Sequence, residues 1–348
     1  MQRPARYGAM FGLLAAALFG ISAPLSKLLL GTLRPQLLAG LLYLGAGLSL
    51  SLLHIVRPRK AESPLRKSDV LPLLAIIAIG GIAGPLLMLF GLLRVGALTG
   101  SLLLNLEAPL TILLAVLLFG EHLGRHAAAA AALILGGAAL LRLQPGTSQA
   151  DSSGVLLLAG ACLCWAIDNN LTQRLTLRDP VALVRIKTLG AGCVNLLVAL
   201  LLGARLPEPG IIVSALLLGS VSYGASVVLD AYALRLLGAA REAAFFATAP
   251  FIGALASIVL CGDRLGAVDV GAMGAMALGV VLLLRERHAH QHTHEALDHE
   301  HIHSHDAHHQ HNHTPTDPST APHSHPHRHE PLVHDHPHLP DQHHRHRH

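Results

Sequence analysis

Aromatic residues make up only 3% of this 348-residue chain and charged residues only 13%. The first scarcity removes the stacking surfaces of a nucleic-acid-binding face, and the few basic residues cluster at the ends of apolar runs rather than in a patch. No nucleic-acid partner is therefore expected. Cysteine is nearly as rare: Cys162, Cys164, Cys193 and Cys261 all lie in or at the end of apolar runs. Cys162 and Cys164 are two apart on a helix and point to different faces, so they read as small buried hydrophobes, not as a metal or disulfide motif. The chain also has no H-E-x-x-H, no G-x-S-x-G and no phosphate-binding loop. An enzyme is not expected.

What is abundant comes in two blocks. Of the 26 histidines, 23 fall between His288 and His348. Without that tail, 287 residues remain that are roughly 60% apolar, above the ~45–50% of a soluble domain. Charge divides at the same place, +9 in residues 1–287 and −5 in the tail with His neutral, which gives the net +4. The first block is a membrane body and the second a polar appendage.

Apolar stretches long enough for a helix to cross ~30 Å of hydrocarbon recur ten times. They run over 8–30, 35–56, 70–93, 97–119, 125–143, 154–175, 180–203, 210–232, 239–261 and 266–284. With the N-terminus inside, sixteen Lys and Arg residues of the body, Lys187 among them, fall on the cytoplasmic side and six, including Lys27, on the other. Both termini are thus expected in the cytoplasm.

The body repeats itself. A shift of 146 aligns Phe19-Gly-Ile-Ser-Ala-Pro-Leu-Ser-Lys with Trp165-Ala-Ile-Asp-Asn-Asn-Leu-Thr-Gln, placing Ser22 opposite Asp168. A shift of about 142 aligns Phe90-Gly-Leu-Leu-Arg-Val-Gly-Ala with Tyr232-Ala-Leu-Arg-Leu-Leu-Gly-Ala, and Gly120-Glu-His-Leu with Gly262-Asp-Arg-Leu. Pro109 meets Pro250 one residue out of step. Each unit holds five spans, and an odd number inserts the second unit upside down relative to the first. The expected fold is an all-α integral membrane protein of ten helices in two inverted five-helix repeats, residues 1–145 and 152–287, followed by a disordered His-rich cytoplasmic tail, 288–348.

The first-helix pattern Ala17-Leu-Phe-Gly-Ile-Ser-Ala-Pro with Lys27 carries a resemblance, as does Asn105-Leu-Glu-Ala-Pro-Leu-Thr-Ile-Leu-Leu-Ala-Val-Leu-Leu-Phe-Gly-Glu-His-Leu above all. On these residues the body resembles the EamA family of the drug/metabolite transporter superfamily over residues 1–287. The resemblance implies a ten-helix inner-membrane protein, often an exporter of amino acids or other metabolites. It does not fix the substrate. Cys261-Gly262-Asp263 departs from the more usual Gly-Glu ending of the second repeat, and the tail lies outside the family pattern.

Ionisable groups inside spans are the sharpest chemical signal, because one at the bilayer centre costs ~2.5–3.5 kcal/mol or more and faces a cavity or a partner. Glu107 lies mid-span beside Pro109, and Asn105 falls on a different face of the same helix. Asp168, Asn169 and Asn170 interrupt the sixth span, with Trp165 on the face of Asp168; at least one of the amides bonds a neighbouring helix. Ser22 and Ser26 give the first helix its own polar stripe, and Tyr223 opens one in the eighth. The expected substrate-binding set is Glu107, Asp168, Trp165, Tyr223, Asn105, Asn169, Ser22 and Ser26, lining a cavity between the repeats. Pro24, Pro109 and Pro250 are expected to kink their helices and free carbonyls. Gly80 with Gly84, and Gly96 with Gly100, are expected to let helices approach closely.

The tail groups its histidines mostly as H-x-H: His288, His290, His292 and His294; His299, His301, His303 and His305; His308, His309, His311 and His313; His323, His325, His327 and His329; with further groups at 334–338 and 343–348. Alternating imidazoles on an extended chain share a side, and three or four of them suit Zn²⁺, Ni²⁺, Co²⁺ or Cu²⁺. No cofactor is required for transport; divalent cations are the tail's expected ligand, beside the bilayer and a small-molecule substrate as partners of the body. The function expected is secondary transport, as an exporter of a small organic metabolite by alternating access across the inner membrane. The alternative is a transition-metal transporter, or one regulated by metal at the tail.

Overall fold

The computed structural model describes residues 3–56, 65–119, 124–141, 151–172, 175, 179–237 and 245–285, and in the tail the segments 288–294, 297–303, 323–329 and 332–338. The described residues of the body are helical apart from short connections. In the first half, α1 (Arg3–Gly20) and α2 (Ser22–Leu29) form one span broken at Ile21, and α3 (Pro35–Val56) is unbroken. The third span joins α4 (Val70–Ile76) to α5 (Gly84–Arg94) through a π-helical stretch, Ile77–Ala83. The fourth joins α6 (Ala97–Leu103) to α7 (Glu107–Phe119) through a 3₁₀ turn at Leu104–Leu106, and α8 (Arg125–Leu140) completes the half. The second half runs through α9 (Ser152–Thr172) and α10 (Pro180–Leu201). It continues with α11 (Pro209–Gly219), a second π stretch at Ser220–Ala225, α12 (Ser226–Leu237), α13 (Ala249–Leu260) and α14 (Ala267–Arg285).

Among the described residues, seven helical stretches of at least 18 residues are apolar enough to cross a membrane, and α8, α13 and most of α14 are shorter apolar helices. These ten match the spans expected from hydropathy in order, the ninth being described chiefly over its second half, Ala249–Leu260. Their outer faces carry bare aliphatic side chains, Val259 at 84% and Leu201 at 77% exposed, which is the surface lipid covers. Buried leucines such as Leu38, Leu42, Leu89 and Leu102 fill the inside.

Each expected kink proline begins a helix after a break. Pro24 is the third residue of α2, Pro109 the third of α7 and Pro250 the second of α13. A proline in the first turn lacks only an N–H that would be unpaired there anyway. The interruption therefore lies just before the proline, at Ile21, at Leu104–Leu106 and at Ala247–Thr248.

The two halves interlock rather than lie side by side. The helix α3 packs on α10, α8 on α14 and α6 on α13; α1 packs on α12, as α5 does on α9. Exchanging the halves maps each of these contacts onto another of the set or onto itself. Breaks in the third and fourth spans follow the same exchange, with π stretches in both third spans and interruptions in both fourth spans, whereas the break at Ile21 has no counterpart in α9. Close approach is needed at these crossings: a Cβ on Gly40 of α3 would stand 2.7 Å from the Leu196 amide nitrogen of α10.

In the tail, β1 (His288–His294) pairs antiparallel with β4 (Leu332–His338), and β2 (Leu297–His303) pairs with β3 (His323–His329). An isolated two-stranded ladder is marginal in water, and this composition offers no core to support one. His305, His308, His309, His311 and His313 lie outside the described residues.

Candidate substrate site

The centre of the body is built around the first π stretch. A π turn displaces carbonyls from the regular i→i−4 ladder, and such turns recur at functional sites. Here the Gly80 carbonyl accepts from the Tyr43 hydroxyl and from Trp165 Nε1, each at 3.2 Å. Its neighbour, the Gly81 carbonyl, accepts from Asn195 Nδ2 at 3.3 Å. Three helices, α3, α9 and α10, thus send their polar side chains to one point on the third span.

Gly80 and Gly84 do more than let helices approach. A Cβ on Gly80 would lie 2.3 Å from the Asp168 carboxyl carbon, and one on Gly84 would lie 2.7 Å from Trp165 Nε1. The bare backbone is the seat of both side chains.

Asp168 is 5% exposed, and its Oδ2 accepts a charge-assisted hydrogen bond from Lys187 Nζ on α10. Its second oxygen, Oδ1, is buried with no hydrogen-bond partner. Lys187 is a correction to the basic-residue count, which put it at the cytoplasmic edge. The side chain turns inward because a carboxylate held inside the bundle offsets the loss of water that an unpaired ammonium would suffer. One helical step from Asp168, Asn169 donates from Nδ2 to Glu107 Oε1 at 2.7 Å. Glu107 and Asp168, from the two halves, are thus each held by a side chain of the second half, the first by a neutral amide and the second by an ammonium. Tyr223 packs beside this centre, its ring 5.5 Å from Tyr43 and edge-on to Phe19 at 5.8 Å, with Ser22 on its hydroxyl.

The structure thus gathers Glu107, Asp168, Asn169, Trp165, Tyr223 and Ser22. It leaves two candidates elsewhere. Asn105 donates to the Leu102 carbonyl at 3.1 Å and lies 3.8 Å from the Met276 sulfur, so it faces α14, as its separate helical face required. Ser26 is fully buried, with no hydrogen bond for its hydroxyl, farther along α2 where that helix packs on α6 and α13. Asn170 is the amide that serves structure: it donates to the Ala166 carbonyl at 2.8 Å and reaches Thr111 of α7 at 3.4 Å. Sequence reasoning missed Tyr43, Lys187 and Asn195. Lys187 and Asn195 are eight apart on α10, the same face of a helix, and that spacing was the available signal; nothing in the sequence around Tyr43 marks it.

A second charged pair clamps the turn between α5 and α6. Lys27 Nζ donates to the carbonyls of Leu92 and Val95 at the end of α5, while Asp263 Oδ2 accepts from the Leu98 amide at the start of α6, at 2.7 Å. Cation at a helix C-terminus and carboxylate at an N-terminus are the favoured arrangement. The shorter Asp263, a departure from Gly-Glu, is used here as a cap.

An all-helical body of apolar spans around a buried charged centre defines a multi-pass membrane transporter. The profile of the EamA-like transporter family matches the chain twice, over residues 6–143 and 152–285, and the chain belongs to that family. An uncharacterized transporter of Methanothermobacter thermautotrophicus is 29% identical over 287 residues, covering 78% of this chain and 83% of its own. An uncharacterized protein of Pseudomonas aeruginosa is 32% identical over 194 residues, covering 54% of this chain and 67% of its own. A crystal structure 18% identical to this chain superposes with a TM-score of 0.59, over 79% of this chain and 95% of the other, and so shares the fold.

Proposed function

We propose that the chain exports a small organic metabolite across the inner membrane by alternating access, its two five-helix halves inserted with opposite topology and both termini in the cytoplasm. The observation that carries this reading is the charged centre where the halves meet: Glu107 from the first, Asp168 and Lys187 from the second. Five spans per half, contacts that survive exchange of the halves, and helix breaks at corresponding places support an inverted pair that rocks about that centre. Glu107 is the exchangeable acid, holding a proton in one state and a substrate group in the other, because its described partner is a neutral amide. Asp168, fixed by Lys187 and seated on Gly80, orients the substrate. The test is a survey of metabolites in cells and medium with the chain, with Glu107→Gln and without the chain. A compound moved by the wild type should not be moved by the variant; full transport by an inserted Glu107→Gln removes this residue from the mechanism.

A second reading concerns the tail. The ladder register sets His288, His290 and His292 against His338, His336 and His334, and His299, His301 and His303 against His327, His325 and His323. Residues two apart on one strand and opposite on its partner share a face, a spacing that suits metal ions bound by three or four imidazoles. We propose that the tail binds Zn²⁺, Ni²⁺, Co²⁺ or Cu²⁺ and regulates or buffers, while the body carries the metabolite. The centre of the body offers carboxylate and amide oxygens, harder ligands than a transition-metal carrier presents. Titrating Zn²⁺ into the full chain and into the chain ended after Arg287 separates the two: binding is expected only with the tail, and any metal transport by the truncated chain restores the metal-carrier alternative.

A further inference from the structure

Away from the centre, one turn is held from both halves of the body. The chain passes from α5 to α6 through Val95 and Gly96, both in extended conformation. Lys27, near the end of α2 in the first half, donates to the carbonyls of Leu92 and Val95 before this step. Asp263, just past α13 in the second half, accepts from the Leu98 amide after it, at 2.7 Å. Beside them the Cys261 thiol lies 3.6 Å from the Pro24 carbonyl oxygen, so α2 and the end of α13 touch as well. The helices α2, α5 and α13 end the first, third and ninth spans. With the N-terminus in the cytoplasm, all of these groups lie at the outer face.

The segment held in this way is short and bounded at both ends. The helix α6 has seven residues, with the extended step ahead of it and the 3₁₀ turn Leu104–Leu106 behind it, and Glu107 follows at once. A displacement of α6 at the outer face is therefore passed along one short rod to the acid at the centre. The bonds that hold it are of a reversible kind. The last carbonyls of α5 and the first amides of α6 have no partners within their own helices, and an ammonium and a carboxylate at the membrane edge hydrate readily. Water can take over each bond at small net cost. The buried pair of Asp168 and Lys187 has no such exchange, because separating it strands a charge in the interior.

We propose that α6 is the outer gate of the transporter, latched shut by Lys27 and Asp263, and that its release from these two side chains opens the path from the centre to the outside. This rests on the transporter reading and its topology, and adds to it the element that moves and the residues that hold it. Lys27 fixes the base of the gate on α5, and Asp263 ties its moving arm to the other half. Both act by position, not by touching the substrate.

Cys261 is a natural reporter of the latch. Right-side-out vesicles carrying the full chain are treated with a charged, membrane-impermeant maleimide, and the adduct at Cys261 is read by peptide mass spectrometry. Wild type should label far more slowly than the chain opened in SDS. Asp263→Asn and Lys27→Gln should each label at least about tenfold faster than wild type, since losing a charge-assisted hydrogen bond shifts a two-state gate toward its open form. The pair of variants separates gating from local charge. Removing a carboxylate near a thiol by itself makes the thiol more reactive, and removing an ammonium makes it less so. Acceleration in both is therefore the signature of opening. Acceleration in only one variant or in neither, or wild-type labelling as fast as in SDS, overturns the gate and leaves the transporter reading standing. If either variant does not insert, the wild-type comparison decides by itself. Labelling of Cys261 only in inside-out vesicles overturns the topology, and a metabolite survey in which no compound responds to the chain overturns the transporter reading; each takes this inference with it.

Discussion

In the first half, the helix that opens the repeat presents Ser22 to Tyr223; in the second half the corresponding helix presents Asp168 to Lys187 and Gly80. Much of the surrounding backbone is alike, with a π stretch and a proline-started helix in each half, although the first span is broken at Ile21 and α9 is not. The chemistry is not alike: the second half carries the ion pair, and the first contributes a single acid, Glu107, plus the glycines that seat its neighbour's carboxylate. In the proposed mechanism symmetry belongs to the scaffold that rocks and asymmetry to the site that takes the substrate, as a small molecule without two-fold symmetry requires.

Asp168→Ala should break this arrangement most severely. Removing one member of a buried ion pair strands the other, at about 3–5 kcal/mol. The expected result is loss of transport and a clear fall in the unfolding temperature in detergent. Adding Lys187→Met to Asp168→Ala should recover most of the stability and none of the transport, which separates folding from function.

Gly80→Ala should come next. The added Cβ would stand 2.3 Å from the Asp168 carboxyl carbon, so the carboxylate is displaced, and overpacking of this kind costs about 1–3 kcal/mol. Gly224 in the second π stretch is the matched control: its Cβ would meet the Ser49 hydroxyl at 2.9 Å, a movable atom. Gly224→Ala should transport at close to the wild-type rate while Gly80→Ala falls by at least about tenfold. Equal effects would mean that both glycines serve packing alone.

A smaller difference is expected at Asn105, whose amide is spent on the Leu102 carbonyl and Met276. Asn105→Ala should cost about 1 kcal/mol in stability, the worth of a buried hydrogen bond, and leave KM unchanged in a flux assay. The smallest effect belongs to Asp151, exposed between the halves and paired with Arg94 at 3.0 Å. Ser153 first, then Arg94, hold its carboxyl below the ordinary value of 3.8. A depressed carboxyl contributes its stability above the unfolded value and loses it as pH falls through the folded one. Asp151→Asn should therefore unfold like wild type once the pH is low enough to protonate the carboxyl in the folded chain, and only marginally earlier at pH 7.

The spans were legible because lipid on one side and leucine packing on the other demand uninterrupted apolar runs, and those leave a record in composition. Glu107 and Asp168 were legible for the converse reason, that a charge inside such a run is expensive. Lys187 was not, because a lysine near the end of a span looks like any interfacial cation until the helix opposite it is known. Nor was the role of Gly80, since a glycine that admits a neighbouring helix and one that admits a carboxylate have the same local sequence. Asn105 and Glu107 show the reach of periodicity: their different helical faces predicted different surroundings, and the structure gives Asn105 to α14 and Glu107 to α9.

The central claim is that transport resides in the body's charged centre and that the 23 histidines of the tail do something else. Export of the compound found in the metabolite survey, measured side by side for the full chain, the chain ended after Arg287 and full-length Glu107→Gln at matched membrane levels, tests it most directly. The account predicts that the truncated chain keeps the wild-type rate and that Glu107→Gln loses it. A truncated chain that no longer transports, beside a Glu107→Gln chain that does, would contradict it.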